Sequence, residues 1–212
     1  MVQLERLHDT LAPQILVLAN QKPLAQGRQR RVYLHPLNPR RIIKVTRPEK
    51  AAENNRHLSR ELAVYADLPL DVLEQPDFPL PRAYGTAQTD FGPSEVYEAI
   101  APVGKRSVGP TLRALLRTGP VTPDLLTMLN TCLHALDAAA IPVTDVTGAN
   151  LVLGERPGWR GFVLVDGFGD YRALPLARWL PAARRRRLRD GFARLAPALA
   201  AHWDEKAGQF RA

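Results

Sequence analysis

The stretch TDVTGANLVLGERPGWRGFVLVDGFGD, Thr144 to Asp170, decides how this chain is read. It opens with Asp145 and Asn150 in a D-x-x-x-x-N spacing. Two apolar runs follow, separated by a Gly/Pro turn, and the second ends at Asp166 with Gly167 and Gly169 behind it. Short apolar runs bounded by turn residues read as the two strands of a β-hairpin. A hairpin returns its ends to one edge. Asp145 and Asn150 are therefore expected beside Asp166, although they lie far apart in sequence.

Such a set of oxygen atoms matches the needs of a bound nucleotide triphosphate. The magnesium ion that bridges its phosphates takes oxygen from one or two carboxylates, the rest coming from substrate and water. Asn150 and Asp166 supply suitable oxygens. Asp145, in the loop entering the hairpin, is placed to orient a hydroxyl nucleophile and accept its proton. The α- and β-phosphates also need a fixed cation. Lys44 lies mid-strand in RRIIKVTR, where an ammonium is buried at high cost unless paired. Glu61 on the following helix is its natural partner. Taken singly these signals are weak, because a strand lysine usually snorkels to solvent and Asp and Asn are ordinary turn residues. Their joint order and spacing carry the reading.

The rest of the chain supplies matching surroundings. RVYLHP and RRIIKV read as a hairpin around PLNP. NNRHLSRELAVYADL, residues 54–68, places Leu58, Leu62, Val64, Tyr65 and Leu68 at near-helical spacing. PDFPLPRAYGTAQTD and SEVYEAIAPVG read as two further strands, and GPTLRALLRTG as a short helix. VTPDLLTMLNTCLHALDAAAI is a longer helix, capped by Thr122 with Pro123 at the first helical position. PLARWLPAARRRRLRDGFARLAPALAAHWDE reads as helical, interrupted near Pro181 and Pro197. A strand-rich front and a helix-rich back predict an α+β protein of two lobes. Residues 1–101 form the strand-rich lobe with one main helix. Residues 102–212 form the helical lobe with the hairpin, and the seam lies near Ala101–Gly104.

Strand Lys44, helix Glu61, Asp145 with Asn150, and Asp166 with Gly169 resemble the protein-kinase-like signature set in its usual order. The resemblance runs from about Pro23 to Tyr171. More narrowly, PLAQGRQRRVYLHP, RELAVYADL and PRAYGTAQTDFGPSEVYEAI resemble the YrbL family of PhoP regulatory network proteins. That resemblance implies a bilobal protein-kinase-like fold with a reduced helical C-lobe, and Mg-ATP as ligand. It makes Lys44 the phosphate-binding lysine anchored by Glu61, Asp145 the catalytic base, and Asn150 and Asp166 the metal ligands. LAQGRQRRVY takes the place of the phosphate-covering loop. Gly27 keeps one glycine of G-x-G-x-x-G, Ala25 and Arg30 stand at the flanking glycine positions, and Arg28, Arg30 or Arg31 add charge. Ala101 and its neighbours become the hinge that meets adenine through backbone groups.

The departures from the family pattern also have meaning. Val143-Thr144 replaces His-Arg before the base, Thr147 stands where a lysine is common, and Gly167 is inserted before Phe168. About forty residues follow the metal motif, with no Ala-Pro-Glu segment among them. The missing platform is where peptide substrates normally lie. A small-molecule, sugar or lipid hydroxyl is therefore favoured as acceptor over a protein. A nucleotide-binding pseudokinase that acts as a regulator is the alternative reading.

Composition sets the outer limits. The chain has 212 residues, 45% of them hydrophobic and 24% charged, which is ordinary for a globular protein. Its single cysteine, Cys132, excludes an internal disulfide and a cysteine-based zinc cluster. No apolar run reaches the length of a membrane span, and the N-terminal stretch with Glu5 and Asp9 does not read as a secretory signal. A cytoplasmic location is expected. The formal charge of +8 favours an anionic partner, though an arginine excess also follows from GC-rich coding. Arg184–Arg187 and Arg189 read first as a solvated helix face, and otherwise as a patch for an anionic membrane surface or a phosphorylated substrate. No stacking platform accompanies them, which argues against nucleic acid. The five histidines, His35 and His134 among them, have no ligand spacing.

Overall fold

The computed structural model describes residues 15–47, 61–102, 108–169 and 180–211. Leu58 and the first part of the 54–68 helix, Gly104 at the seam, Asp170 and Tyr171, and the N-terminal stretch lie outside the described residues.

The front of the chain builds one antiparallel sheet in the order β1-β2-β3-β5-β4. Its strands are β1 (Ala25–Gln26), β2 (Arg30–Leu34), β3 (Arg41–Thr46), β4 (Ala83–Thr89) and β5 (Gly92–Glu98). Alternation along a strand sorts side chains to two faces. Tyr33, Ile43 and Val45 share one face, covered by Leu16 and Leu18. The segment carrying those leucines is held by Asp90, whose carboxylate accepts from the Leu18 and Ala19 amides at 2.9 and 2.8 Å. The register pairs Val32 with Lys44 and Lys44 with Glu95 on the opposite face. That face also carries Ile42 and Tyr97, which pack with Leu62 and Tyr65. Residues 61–66 are helical, here α1, and α2 (Leu70–Glu74) follows.

The larger core lies behind the sheet. Helix α3 (Leu112–Thr118) is capped by the Thr111 side chain, and α4 (Pro123–Ala138) by Thr122, with Pro123 at the first position as the sequence predicts. Helix α4 buries Leu126, Leu129, Cys132, Leu133 and Leu136 on one stripe. The hairpin strands β6 (Leu151–Arg156) and β7 (Trp159–Leu164) are buried on both faces. Leu151, Leu153, Phe162 and Leu164 join the α4 core, while Val152 and Val163 pack with Ile100 at the end of the sheet. This two-sided burial is why both strands read as near-continuous apolar runs. Gly154 allows the approach, since a Cβ there would lie 2.3 Å from Ile100 Cγ2.

Beyond the hairpin the structure differs from the sequence expectation. Pro181 opens α5 (Pro181–Ala193) instead of interrupting a longer helix, because proline fits the first turn. Residues 175–179 lie outside the described residues. After α6 (Ala196–Leu199) the chain leaves helix at Ala200, whose φ is 48°. Trp203 and its neighbours then form β8 (His202–Asp204), paired with β9 (Gln209–Arg211), where more helix was expected. Asp204 builds the turn by accepting from the Lys206 and Ala207 amides at 2.9 and 3.0 Å. Asn130 of α4 clamps Phe210 through two backbone hydrogen bonds, at 3.0 and 2.9 Å. A local helical pattern was overruled by this tertiary pairing.

Arg156, at the end of β6, is buried at 5% exposure. Its guanidinium donates to both oxygens of Glu98 at 3.0 and 2.7 Å. It also donates to the carbonyls of Pro76, Phe78 and Leu80, at 3.1, 2.5 and 2.8 Å. One side chain therefore rivets the hairpin to the end of the sheet and to the segment entering β4. Removing one member of a buried charge pair leaves the other unpaired, at a cost of about 3 kcal/mol or more. Arg156→Leu is expected to lose that much in urea unfolding at neutral pH. A loss below about 1 kcal/mol would mean that the rivet does not hold the two parts together.

Candidate active site

The site grows from Lys44. Strand β3 points this side chain under the sheet, leaving it 4% exposed. Its ammonium donates to Glu61 Oε2 at 2.9 Å and to the Val165 carbonyl at 2.8 Å. It also lies 4.7 Å from the Tyr97 ring centre and 5.7 Å from that of Phe168. Glu61 is fully buried on α1. The Lys44–Glu61 pairing expected from sequence is therefore present, and it reaches the backbone next to Asp166.

The hairpin ends meet as the opening stretch predicts. Val143 bridges Phe168. The amides of Thr144 and Asp145 donate to the Gly167 carbonyl at 2.7 and 3.1 Å, and the Gly169 amide donates to Pro142 at 2.8 Å. The Thr144 hydroxyl adds a bond to the same Gly167 carbonyl at 3.0 Å. The inserted Gly167 has φ of 81°, and a Cβ on it would fall 2.2 Å from the Asp145 carbonyl oxygen. Only glycine fits there without strain. The insertion is thus absorbed in the turn, and Phe168 still reaches the core, fully buried and edge-on to Tyr65.

Asp145 is exposed. The Asn150 amide nitrogen donates to its carbonyl and its carboxylate at 3.1 and 3.3 Å, leaving the Asn150 side-chain oxygen as the atom for a metal. The Asn150 backbone accepts from the Val165 amide at 2.8 Å, which fixes it to the strand leading into Asp166. The Asp166 side chain is 54% exposed and accepts from the Gly167 amide at 2.9 Å. Among the described residues no group of three His, Cys, Asp or Glu could hold a metal ion. One accessible carboxylate with an amide oxygen nevertheless fits magnesium, which binds few protein ligands and keeps its water.

The other expected residues stand at the rim. Gly27 closes the turn between β1 and β2, its amide donating to the Arg30 carbonyl at 2.8 Å. Arg28 is exposed on that turn. Ala101 follows the sheet, and its carbonyl accepts from Glu155 at 3.0 Å. The arginine run stands apart on α5. Arg185 pairs with Asp137 at 3.3 Å and Arg186 with Asp190 at 3.9 Å, so part of its charge is answered locally.

Two contributors escaped sequence reading. Glu95 is fully buried on β5 opposite Lys44. Arg30, read only as loose loop charge, turns inward instead. Its guanidinium donates to Glu95 at 3.0 Å and to Glu61, and stands 3.6 Å from Asp166. Strand alternation was the available signal. Arg30 lies two residues from Val32, the partner of Lys44.

Comparisons with known proteins bear on the family and the fold. The family model for PhoP regulatory network protein YrbL matches residues 16–199. YrbL of Escherichia coli (strain K12) is 36% identical over 165 residues, covering 76% of this chain and 77% of its own. YrbL of Shigella flexneri matches to the same extent. Among solved structures, a Mycobacterium tuberculosis PknI kinase domain superposes with a TM-score of 0.54 at 22% identity, over 84% of this chain and 71% of that domain. Another kinase domain gives 0.57 at 13% identity, over 84% and 62%. A further PknI structure is spanned over only 56% of its length. The fold is kinase-like, and the chain covers only part of a full kinase domain.

The buried charges make the site sensitive to pH. Burial would raise the Glu61 carboxyl, but Lys44 and Arg30 outweigh it and hold it down at about 2. Burial and the neighbouring Glu61 push Glu95 up to about 7. A carboxyl raised on folding is protonated in the folded chain while already ionised in the unfolded one. Its contribution to stability is therefore present below the unfolded value and falls as pH rises towards the folded value. Wild type is expected to lose stability relative to Glu95→Gln between about pH 4.5 and 7, by up to roughly 3 kcal/mol. Chemical unfolding of both proteins across that range measures it. A constant difference would place the Glu95 carboxyl at an ordinary value.

Proposed function

The chain belongs to the YrbL family of PhoP regulatory network proteins, and from that premise we propose that it binds Mg-ATP and transfers phosphate to a hydroxyl. One observation carries the proposal: the buried Lys44–Glu61 pair ends on the Val165 carbonyl, next to Asp166 and beside the zipped loop holding Asp145 and Asn150. Lys44 would bind the α- and β-phosphates, its position fixed by Glu61. Asn150 and Asp166 would hold magnesium, which supplies charge neutralisation to the phosphates when bound. Asp145, exposed and oriented through Asn150, would align the acceptor hydroxyl and take its proton. Catalysis in this class is mostly positioning and charge compensation.

The acceptor proposed is a small-molecule, sugar or lipid hydroxyl, with a protein hydroxyl as the less favoured acceptor. Among the described residues no helix is long and apolar enough to cross a membrane, and a cytoplasmic setting is part of the proposal. Arg186, 85% exposed on its side chain, leaves the α5 face able to meet an anionic surface. A second reading, a pseudokinase that senses nucleotide, is favoured by the Thr144 hydroxyl. It is spent on Gly167 where an arginine would precede the base.

Thermal unfolding distinguishes these roles. Ligand at a hundred times its Kd stabilises by about 2.7 kcal/mol. In a chain of this size that raises Tm by roughly 5–10 °C. A rise with ATP and magnesium is expected in wild type and Asp145→Ala, and its magnesium-dependent part is lost in Asp166→Ala, with phosphate transfer absent from both variants. An equal rise in wild type and Asp166→Ala would refute the metal assignment. Binding without turnover in wild type, across acceptor classes, would favour the pseudokinase.

A further inference from the structure

Arg30 stands where the phosphate-covering loop of G-x-G-x-x-G proteins has a glycine, and it does not point to solvent. Its β2 position faces Thr46, one step along the same sheet face as Lys44, so both cations enter one pocket. Each arm of the guanidinium is used. One nitrogen donates to Glu95, the other to Glu61, and the second also stands 3.6 Å from Asp166 Oδ1. The Arg30 side chain is only 14% exposed, while Asp166 is open at 54%. Glu95 Oε1 is buried without a hydrogen-bond partner among the described residues. Three carboxyl groups therefore face two cations, with the accessible one, Asp166, at the mouth.

Resting on the nucleotide-binding reading above, we propose that Arg30 is a built-in cation of the triphosphate site, taking beside Asp166 part of the place of a divalent ion. A guanidinium held on two buried carboxyl groups is pre-organised, so little side-chain entropy remains to be lost when phosphate arrives. Its contact to Asp166 is the longest and the most accessible of the three. That contact is the one a phosphate oxygen exchanges with, since Arg forms strong charge-assisted bonds to phosphate. A metal ion and Arg30 compete for Asp166, because both are positive. The consequence is a triphosphate site whose affinity depends less on magnesium than its two metal ligands alone would dictate.

The test is calorimetric titration of ATP into wild type, Arg30→Gln, Arg30→Lys and the double variant Arg30→Gln/Glu95→Gln, each with saturating magnesium and with EDTA. The double variant removes the carboxylate left unpaired by the single one and guards against a simple folding defect. The readout is the ratio of the two affinities within each protein, which a merely structural loss would not change. Removing one charge-assisted bond is worth roughly tenfold or more in affinity. Wild type is expected to keep measurable metal-free binding. Both Gln variants should lose about tenfold or more in EDTA but only a few-fold in magnesium, with Arg30→Lys between them. The same ratio in all four proteins would overturn the role of Arg30 while leaving the kinase reading intact. No ATP binding by wild type in either condition would overturn both.

Discussion

A buried ammonium at Lys44 is the constraint from which the rest of the site follows. Strand β3 places it inside the protein, where an unpaired charge costs several kcal/mol. Its cost is met by a carboxylate from α1, a carbonyl from the hairpin and two aromatic faces. Each comes from a different element. Satisfying one side chain thus fixes the helix against the sheet and the sheet against the hairpin. The same arrangement brings Val165, and with it Asp166, to the cation.

Arg156 solves a similar problem at the other end of the hairpin. It is tied to Glu98 at the end of β5 and to three carbonyls ahead of β4. Lys44 and Arg156 hold the hairpin from opposite ends. Between them Gly154 lets β6 close against Ile100, and Gly167 lets the loop of Asp145 close against the turn after Asp166. The fold is kinase-like, and the chain spans 71% and 62% of two kinase domains it resembles.

The hairpin and the Lys44–Glu61 pair were legible because each rests on local rules: apolar runs between turn residues, and a charge stranded in a strand. The Thr122 cap with Pro123 was legible for the same reason. What escaped depends on register or on distant partners. The inward turn of Arg30 requires knowing that Val32 lies opposite Lys44. Burial of Glu95 and Arg156 requires knowing which elements cover them. The β8–β9 hairpin was hidden because Asn130, eighty positions away, holds Phe210 in place. Pro181 was seen as a break because its role at a first turn depends on where the helix begins.

A crystal structure of the chain with magnesium and a non-hydrolysable ATP analogue tests the central claim most directly. The account predicts α- and β-phosphates at Lys44 and a metal ion between Asn150 and Asp166. It also predicts Arg30 turned from Asp166 to a phosphate oxygen, with Asp145 facing the γ-phosphate. Nucleotide bound elsewhere, or Lys44 and Asp166 untouched in a nucleotide-bound structure, would contradict it.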